Sequence, residues 1–435
     1  MSSGGLLLLL FISLLLITFI LCVLFEADIM QPAVLMSGTM TFSALLAWLS
    51  SNQFGTQIGW KTYFCLILAI GSFSIGSMWS HLKLKWSTYT TGYIEKKYKV
   101  HWLMYGALLV VMGIMLFFST RELYDLSIQL GNTNGLKGMI STIRPALEGH
   151  QIKFSRWMNY RQIIAQTITY IYLFLFTYQM IYHQFKWKYL LFLLPSIIYS
   201  GFVMLTTGRM SMVALIIFEV VIFCVLYQKK KRFHVTSRLK CVAILFIAGI
   251  SFLVLFFVMG HLTGKVISEE HSAFVILAHY AGLSIPALDV QLNKIWVDNL
   301  LVGSNSLHGI YSILNRLGMN LPEVQIFLPF TQFSNINTNV YTAEGRYVRD
   351  FGYIGMIAIM WILGVFYTVF YDWVLYQSHN EFAIILFGTI SYPLFLSSID
   401  ERFFLDLLGS QIIYFGILIY LFCLLIIQKE SSPHV

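Results

Sequence analysis

Long, almost uninterrupted apolar runs alternate with short polar joints along the whole chain. Eleven runs, near 5–24, 33–51, 60–82, 101–119, 162–182, 189–207, 210–227, 241–261, 352–375, 382–399 and 409–427, approach the roughly 20 residues a helix needs to cross a bilayer. They are continuously apolar rather than alternating, which predicts helices and not barrel strands. The first run has no positive side chain before it. It leads straight into Phe25, Glu26, Ala27 and Asp28 rather than into a small-residue cleavage site. It is therefore expected to be the first span and not a cleaved signal peptide.

Composition agrees with that pattern and removes the alternatives. Of 435 residues, 58% are hydrophobic and 11% charged, against about 45–50% and about 25% in an ordinary soluble protein. So few charges cannot cover so much apolar surface in water, which excludes a soluble globule and a disordered chain. The 36 Phe, 25 Tyr and 10 Trp suit many membrane interfaces. Cys22, Cys65, Cys224, Cys241 and Cys423 sit in or beside apolar runs without metal-ligand spacing, so they are expected to be small buried hydrophobes.

The formal charge of +8 gains meaning once it is sorted by loop. Lys83, Lys85, Lys96, Lys97 and Lys99 face one acid, Glu95, in 83–99. Lys186 and Lys188 fill the next such joint. Lys229, Lys230, Lys231, Arg232, Arg238 and Lys240 stand together without an acid. Short basic loops are retained in the cytoplasm, and these three alternate with joints at 120–161, 207–210, 262–351 and 400–408, which are expected to face outward. The basic runs thus record topology rather than a nucleic-acid partner. Three parts are expected: a bundle of about eight spans over 1–261, a large outer loop over 262–351, and about three further spans over 352–428. The 120–161 joint should hold an amphipathic helix on the membrane. Within the outer loop, the apolar stretch 273–288, interrupted by His279 and Pro286, is expected to be a re-entrant or surface helix.

Polar groups at membrane depth are costly and so are informative. Thr206-Thr207-Gly208-Arg209-Met210-Ser211 joins two apolar runs by a very tight turn, which places a guanidinium at the outer face. That group can grip a phosphate with two parallel hydrogen bonds, or it can snorkel to lipid headgroups. The end of the outer loop, 335–352, is dense in amides and charges: Asn335, Asn337, Asn339, Glu344, Arg346, Arg349 and Asp350. If it is helical, Arg346 and Arg349 share a face and Asp350 lies one turn from Arg346; the bland alternative is a solvated Arg346–Asp350 pair. Asp400, Glu401 and Arg402, followed by Asp406, read first as a local ion pair. Glu219 is an acid within a span and should find a polar partner on a neighbouring helix. His261, His271, His279 and His308 lack metal spacing. No Walker A lysine motif, Asp-x-Asp pair, Gly-x-Ser-x-Gly or His-Glu-x-x-His string is present. A metal-independent chemistry without cofactor is expected.

With its short hairpin at Asp28 and Pro32, the turn at Thr207-Gly208-Arg209, the Thr338-Asn339-Val340-Tyr341 string and the closing Arg349-Asp350-Phe351-Gly352-Tyr353-Ile354-Gly355, the chain resembles the Wzy-type polymerases of lipid-linked oligosaccharide repeat units. The related O-antigen ligases usually carry a His before the span after the large loop. No His stands there here, which favours polymerase over ligase; a lipid-linked-glycan flippase is the other class to separate. The resemblance implies an all-α polytopic membrane protein of about 11–12 transmembrane helices with a GT-C-like fold and a large extracytoplasmic loop domain. It implies a bacterial plasma membrane enzyme that transfers a growing glycan from undecaprenyl diphosphate to a new lipid-linked unit, building O-antigen, common antigen or capsule. A chain-length regulator and a flippase would be its companions. On that reading Arg209, Arg346 and Arg349 bind the diphosphate. Asp350 and Glu344 are the candidate bases, Asp350 being preferred for its anchored position. Asn339, Tyr341 and Tyr347 contact glycan or phosphate.

Overall fold

In a computed structural model the chain is described at residues 4–83, 96–148, 152–206, 209–231, 237–245, 247, 249, 251, 273–294, 301–322, 324, 326, 328–334 and 336–429. In chain order the elements are α1 (Gly5–Leu24), α2 (Pro32–Leu49), α3 (Trp60–Lys83), β1 (Tyr98–Lys99), α4 (Trp102–Gln129), α5 (Gly135–Glu148), α6 (Arg156–Tyr182) and α7 (Trp187–Leu205, its first turns 3-10). There follow α8 (Arg209–Lys230), α9 (Phe274–Asn293), α10 (His308–Arg316), β2 (Thr331–Phe333), β3 (Ile336–Thr338) and α11 (Glu344–Asp372). The chain closes with α12 (Glu381–Ile390), α13 (Tyr392–Leu396), α14 (Phe403–Leu407), α15 (Ser410–Ile426) and β4 (Gln428–Lys429). Nine helices among the described residues are long and apolar enough to cross a membrane. The protein is thus an all-α polytopic membrane protein, and its two two-stranded ribbons, β1 with β4 and β2 with β3, are minor.

Several boundaries differ from the apolar runs for identifiable reasons. α4 continues ten residues past its run, because Glu122 near its end pairs with Arg161 of α6 and so is accommodated. The run at 382–399 divides into α12 and α13, broken at Ser391 two residues before Pro393, which cannot continue a helical ladder. α15, with 17 residues, sits at the short end of the spanning range. The run at 241–261 is helical over 237–245; most of its remainder, with His261 and His271, lies outside the described residues, as do Thr207, Gly208 and Asn335.

The chain divides into two compact units. One holds 91–268, 378–389 and 414–435. Its amphipathic helix α5 covers its apolar face with its neighbours: Met139 and Ile143 pack with Leu123, Met158 and Leu205. Glu219 of α8 accepts a hydrogen bond from Thr177 of α6, the interhelical partner that an acid at this depth requires. Tyr170 stacks on Phe218, with ring centroids 4.1 Å apart, in the same seam.

The other unit holds 1–90, 269–377 and 390–413. Its spine is the pair α3 and α11, which approach until backbone meets backbone. A Cβ on Gly76 would lie 2.3 Å from the Trp361 carbonyl oxygen, and one on Gly364 would lie 2.1 Å from that of Phe73. Lipid tails are as apolar as leucine, so close van der Waals fit, rather than exclusion from water, holds such helices together. Ser72 and Ser77 of α3 add hydrogen bonds to the carbonyls of Ile357 and Gly364.

Both ends of this unit are polar. At one end Asp372 pairs with His81 at 2.7 Å, and Tyr371 donates to Asp28 at 2.7 Å. At the other end lie the turn after α2, the first turn of α3 and the start of α11. α9 meets all three. Ser43 of α2 donates to the Ala281 carbonyl, Gly282 packs against Leu46 and Ala47, and Asp289 accepts from the Gly59 amide at 2.7 Å. Val275, Ala278 and Leu283 cluster with Phe54. α9 has the length of a span, yet its partners lie within about two turns of one end of α2 and α3. It packs against these helix ends and is itself one of the nine helices long and apolar enough to cross a membrane.

Gly364→Val is expected to reduce stability by roughly 1–3 kcal/mol, the usual cost of forcing bulk into a packed contact. Gly71→Ala on its partner helix α3, where a Cβ would meet nothing within 4 Å, should leave it unchanged. Thermal unfolding of the two variants in detergent measures the difference.

Candidate functional site

α11 does not begin as a membrane helix. Its first two turns carry Glu344, Arg346, Tyr347, Arg349 and Asp350, and then Gly352 takes φ 68° and ψ −179°, a conformation essentially restricted to glycine. The break separates a polar head, 344–351, from the apolar helix that follows. Asn305, Ser306 and Ile326 of the preceding segment, Leu288 and Gln291 of α9, and Glu401 with Phe404 at the start of α14 pack around that head.

Asp350 is held by five hydrogen bonds. Its Oδ1 accepts from the Asn305 amide at 3.0 Å and from Asn305 Nδ2 at 2.6 Å. Its Oδ2 accepts from the Asn305 amide at 3.1 Å, the Ser306 amide at 2.8 Å and the Ser306 hydroxyl at 2.6 Å. Arg346, only 2% exposed, approaches the same residue from its other side. Its Nη1 donates to the Asn305 carbonyl at 2.6 Å, and its Nη2 to the Ile326 carbonyl. The alternative of a solvated Arg346–Asp350 pair is replaced by a buried clamp in which both side chains grip 305–306.

Tyr347 is fully buried, and its hydroxyl donates to Glu401 Oε1 at 2.6 Å. Glu401 also accepts the amides of Phe404 at 2.7 Å and Leu405 at 3.0 Å, capping the start of α14. Burial pushes the Glu401 carboxyl up to about 7, tempered by Tyr347, these amides and the nearby Arg346. The 400–402 turn does contain the expected local pair, Arg402 with Asp400 at 2.7 Å and with Asp406 at 3.6 Å. Glu401 belongs instead to the α11 cluster. Sequence reasoning missed this contact, and also Asn305 and Ser306, because the residues that meet are about fifty positions apart; the Gly303-Ser304-Asn305-Ser306 turn signal was the only trace.

Glu344 differs from these. It is fully buried, and neither carboxylate oxygen has a hydrogen-bond partner among the described residues. The Thr342 hydroxyl faces it without closing a hydrogen bond of normal geometry. Next to it, the missing side chain of Gly345 admits the Gln291 amide oxygen of α9, 2.3 Å from where a Cβ would stand. Leaving a buried carboxyl without partners costs several kcal/mol, so this one is held by its surroundings at the expense of stability.

The remaining sequence candidates occupy different settings. Tyr341 is buried, and its hydroxyl bridges the Pro329 carbonyl and the Thr331 hydroxyl, both at 2.7 Å; burial raises its pKa. It pins the β2–β3 ribbon rather than facing outward. Asn339 and Arg349 are half-buried. Arg209 opens α8 in the other unit, and its side chain lies outside the described residues. Among the described residues no group of three His, Cys, Asp or Glu is placed to hold a metal ion.

Asp350→Ala should free the 301–307 segment, with a loss of about 3 kcal/mol or more from the charge-assisted bonds. Faster amide exchange at Asn305 and Ser306 would register it. Glu401 also sets a pH dependence. Its folded value of about 7 exceeds its ordinary 4.5, so between these values the folded state holds a proton that the unfolded state has released. Its contribution to stability therefore falls as pH rises through that window, by at most about 1.4 kcal/mol per unit, and levels off above it. Glu401→Gln should flatten the stability–pH curve there, which chemical denaturation at a series of pH values would reveal.

No family model, curated protein or solved structure matches the chain, so what this cluster does is argued from its own geometry.

Proposed function

We propose that the chain is a polymerase of undecaprenyl-diphosphate-linked oligosaccharide repeat units, working with a GT-C-like architecture at the outer face of a bacterial plasma membrane. The observation that carries the proposal is the polar head of α11. A buried carboxyl without partners, Glu344, sits beside an arginine-rich turn, under a large loop expected to face outward, in a membrane protein.

In this reaction the hydroxyl oxygen at the non-reducing end of a new unit bonds to the anomeric carbon of the growing glycan. The bond from that carbon to the diphosphate oxygen breaks, the leaving undecaprenyl diphosphate takes the electron pair, and the hydroxyl proton passes to a base. Asp350 is a poor base here because its lone pairs are occupied by 305–306. Glu344 is the better candidate, since its acceptor capacity is unspent. Its burial excludes bulk water, whose attack would turn polymerisation into hydrolysis. The half-buried Arg349 is assigned to the diphosphate, whose growing charge guanidinium groups can stabilise without a metal; Arg209 keeps only the role that the family resemblance implies. Arg346 donates to two carbonyls and orders the wall beside them.

A strain lacking the gene should make glycans of one repeat unit. Arg209→Ala and Glu344→Gln should each reproduce that phenotype, whereas Glu344→Asp should retain part of the activity. Electrophoretic glycan profiles supply the measurement; normal chain lengths in both loss variants would overturn the site. Protein in liposomes that moves lipid-linked units across the bilayer without joining them would identify a flippase instead.

A further inference from the structure

α10 and the turn after it present apolar side chains that are exposed among the described residues. Leu307 and Tyr311, on one side of α10, pack with Val324 and Leu405. Ile310, Ile313 and Leu317 follow at i, i+3 and i+7, so they form a second stripe along the helix. Ile310 and Ile313 are half-buried, Leu317 is 77% exposed, and Met319 two residues on is 53% exposed. Single exposed leucines need no explanation, but Leu317 and Met319 are exposed together just past the end of an amphipathic helix whose Ile310 and Ile313 are half-buried.

The position of α10 indicates what covers the stripe. Gly309 lies against Gly409 so closely that a Cβ on it would stand 2.4 Å from the Gly409 Cα. The Arg316 guanidinium reaches Ser410 Oγ at 3.4 Å. Ser410 is the first residue of α15, whose opening turn bears the exposed Ile413. α10 is thus attached at the level where an apolar, membrane-length helix begins. A short amphipathic helix at that level, with an open apolar stripe and a terminal arginine, has the character of an interfacial helix.

We infer that α10 and the 316–320 turn are an anchor embedded in the outer lipid leaflet, with Leu317 and Met319 in the acyl boundary and Arg316 among the headgroup phosphates. The anchor follows directly on Asn305 and Ser306, which Asp350 and Arg346 hold. The wall of the α11 cluster is therefore tied to the bilayer surface, and a ligand of that cluster would arrive along the leaflet as an amphiphile rather than from bulk water. The anchor itself does not depend on the proposed polymerase activity.

The test uses the full-length protein in vesicles of phosphatidylethanolamine and phosphatidylglycerol. In a Cys22→Ala background, where the remaining cysteines are buried, nitroxide labels are placed at Leu317→Cys, Met319→Cys and, on the polar side of α10, Ser312→Cys. Collision of each label with oxygen, which concentrates in lipid, is compared with collision with a water-soluble nickel chelate. The ratio of oxygen to chelate collisions should be several-fold higher at 317 and 319 than at 312. Equal chelate access at all three sites would place the turn in water and overturn the anchor. Immobile labels at 317 and 319 that neither reagent reaches would mean that a protein, whether a second copy or another partner, covers the stripe, and would overturn it equally. Either result leaves the glycan-length test to decide the polymerase reading separately.

Discussion

The polar head of α11 depends on one double contact, the grip of Asp350 and Arg346 on Asn305 and Ser306. A carboxylate that accepts five hydrogen bonds and a buried guanidinium that donates to two carbonyls are both charged groups, and each bond is stronger than its neutral equivalent. Arg346 could not be buried without the Asn305 and Ile326 carbonyls in place, because an uncompensated buried ion costs several kcal/mol. The clamp therefore makes the order of the outer segment and the order of the α11 head a single event. α10, which follows Ser306 directly, and the Ile326 segment inherit their positions from it.

Within that ordered frame Glu344 is left with neither carboxylate oxygen hydrogen-bonded among the described residues. Asp350, Tyr347, Tyr341 and Glu401 all spend their hydrogen-bonding capacity on the protein, as buried polar groups ordinarily do. Glu344 does not. The contrast separates charged groups that tie the segments together from one whose oxygens have no partner, and on the proposed reading it favours Glu344 over Asp350 as the base. Asp350 looked the better base because it stands next to a span, and that same anchored position is what gives it so many partners.

The membrane imposes the rest. With no gain from hiding apolar surface between helices, α3 and α11 cohere through glycine-permitted backbone contact and serine-to-carbonyl bonds. Breaks occur where the backbone requires them: at Gly352, where φ is positive, and at Ser391 ahead of Pro393. Polar side chains inside the bundle are paired across helices, as Thr177 with Glu219 and His81 with Asp372.

Much of this was legible in the sequence. Apolar runs of spanning length can be satisfied only as helices in lipid, so α1 to α4, α6 to α8 and α11 were readable from their residues alone, and the polar density at 335–352 marked where α11 would meet the outer loop. The helix α5 followed from the same patterning. Hydropathy is local, and partnerships are not. Whether Asp350 would be free or engaged, whether Glu401 would pair with its neighbours or with Tyr347, and whether Arg346 would face solvent or carbonyls all depended on which distant segment the fold delivered to 344–351. Only the tertiary structure decided these points, because the state of a charged side chain is set by the donors and acceptors within about 3 Å of it, and here those donors come from residues about forty to fifty positions away.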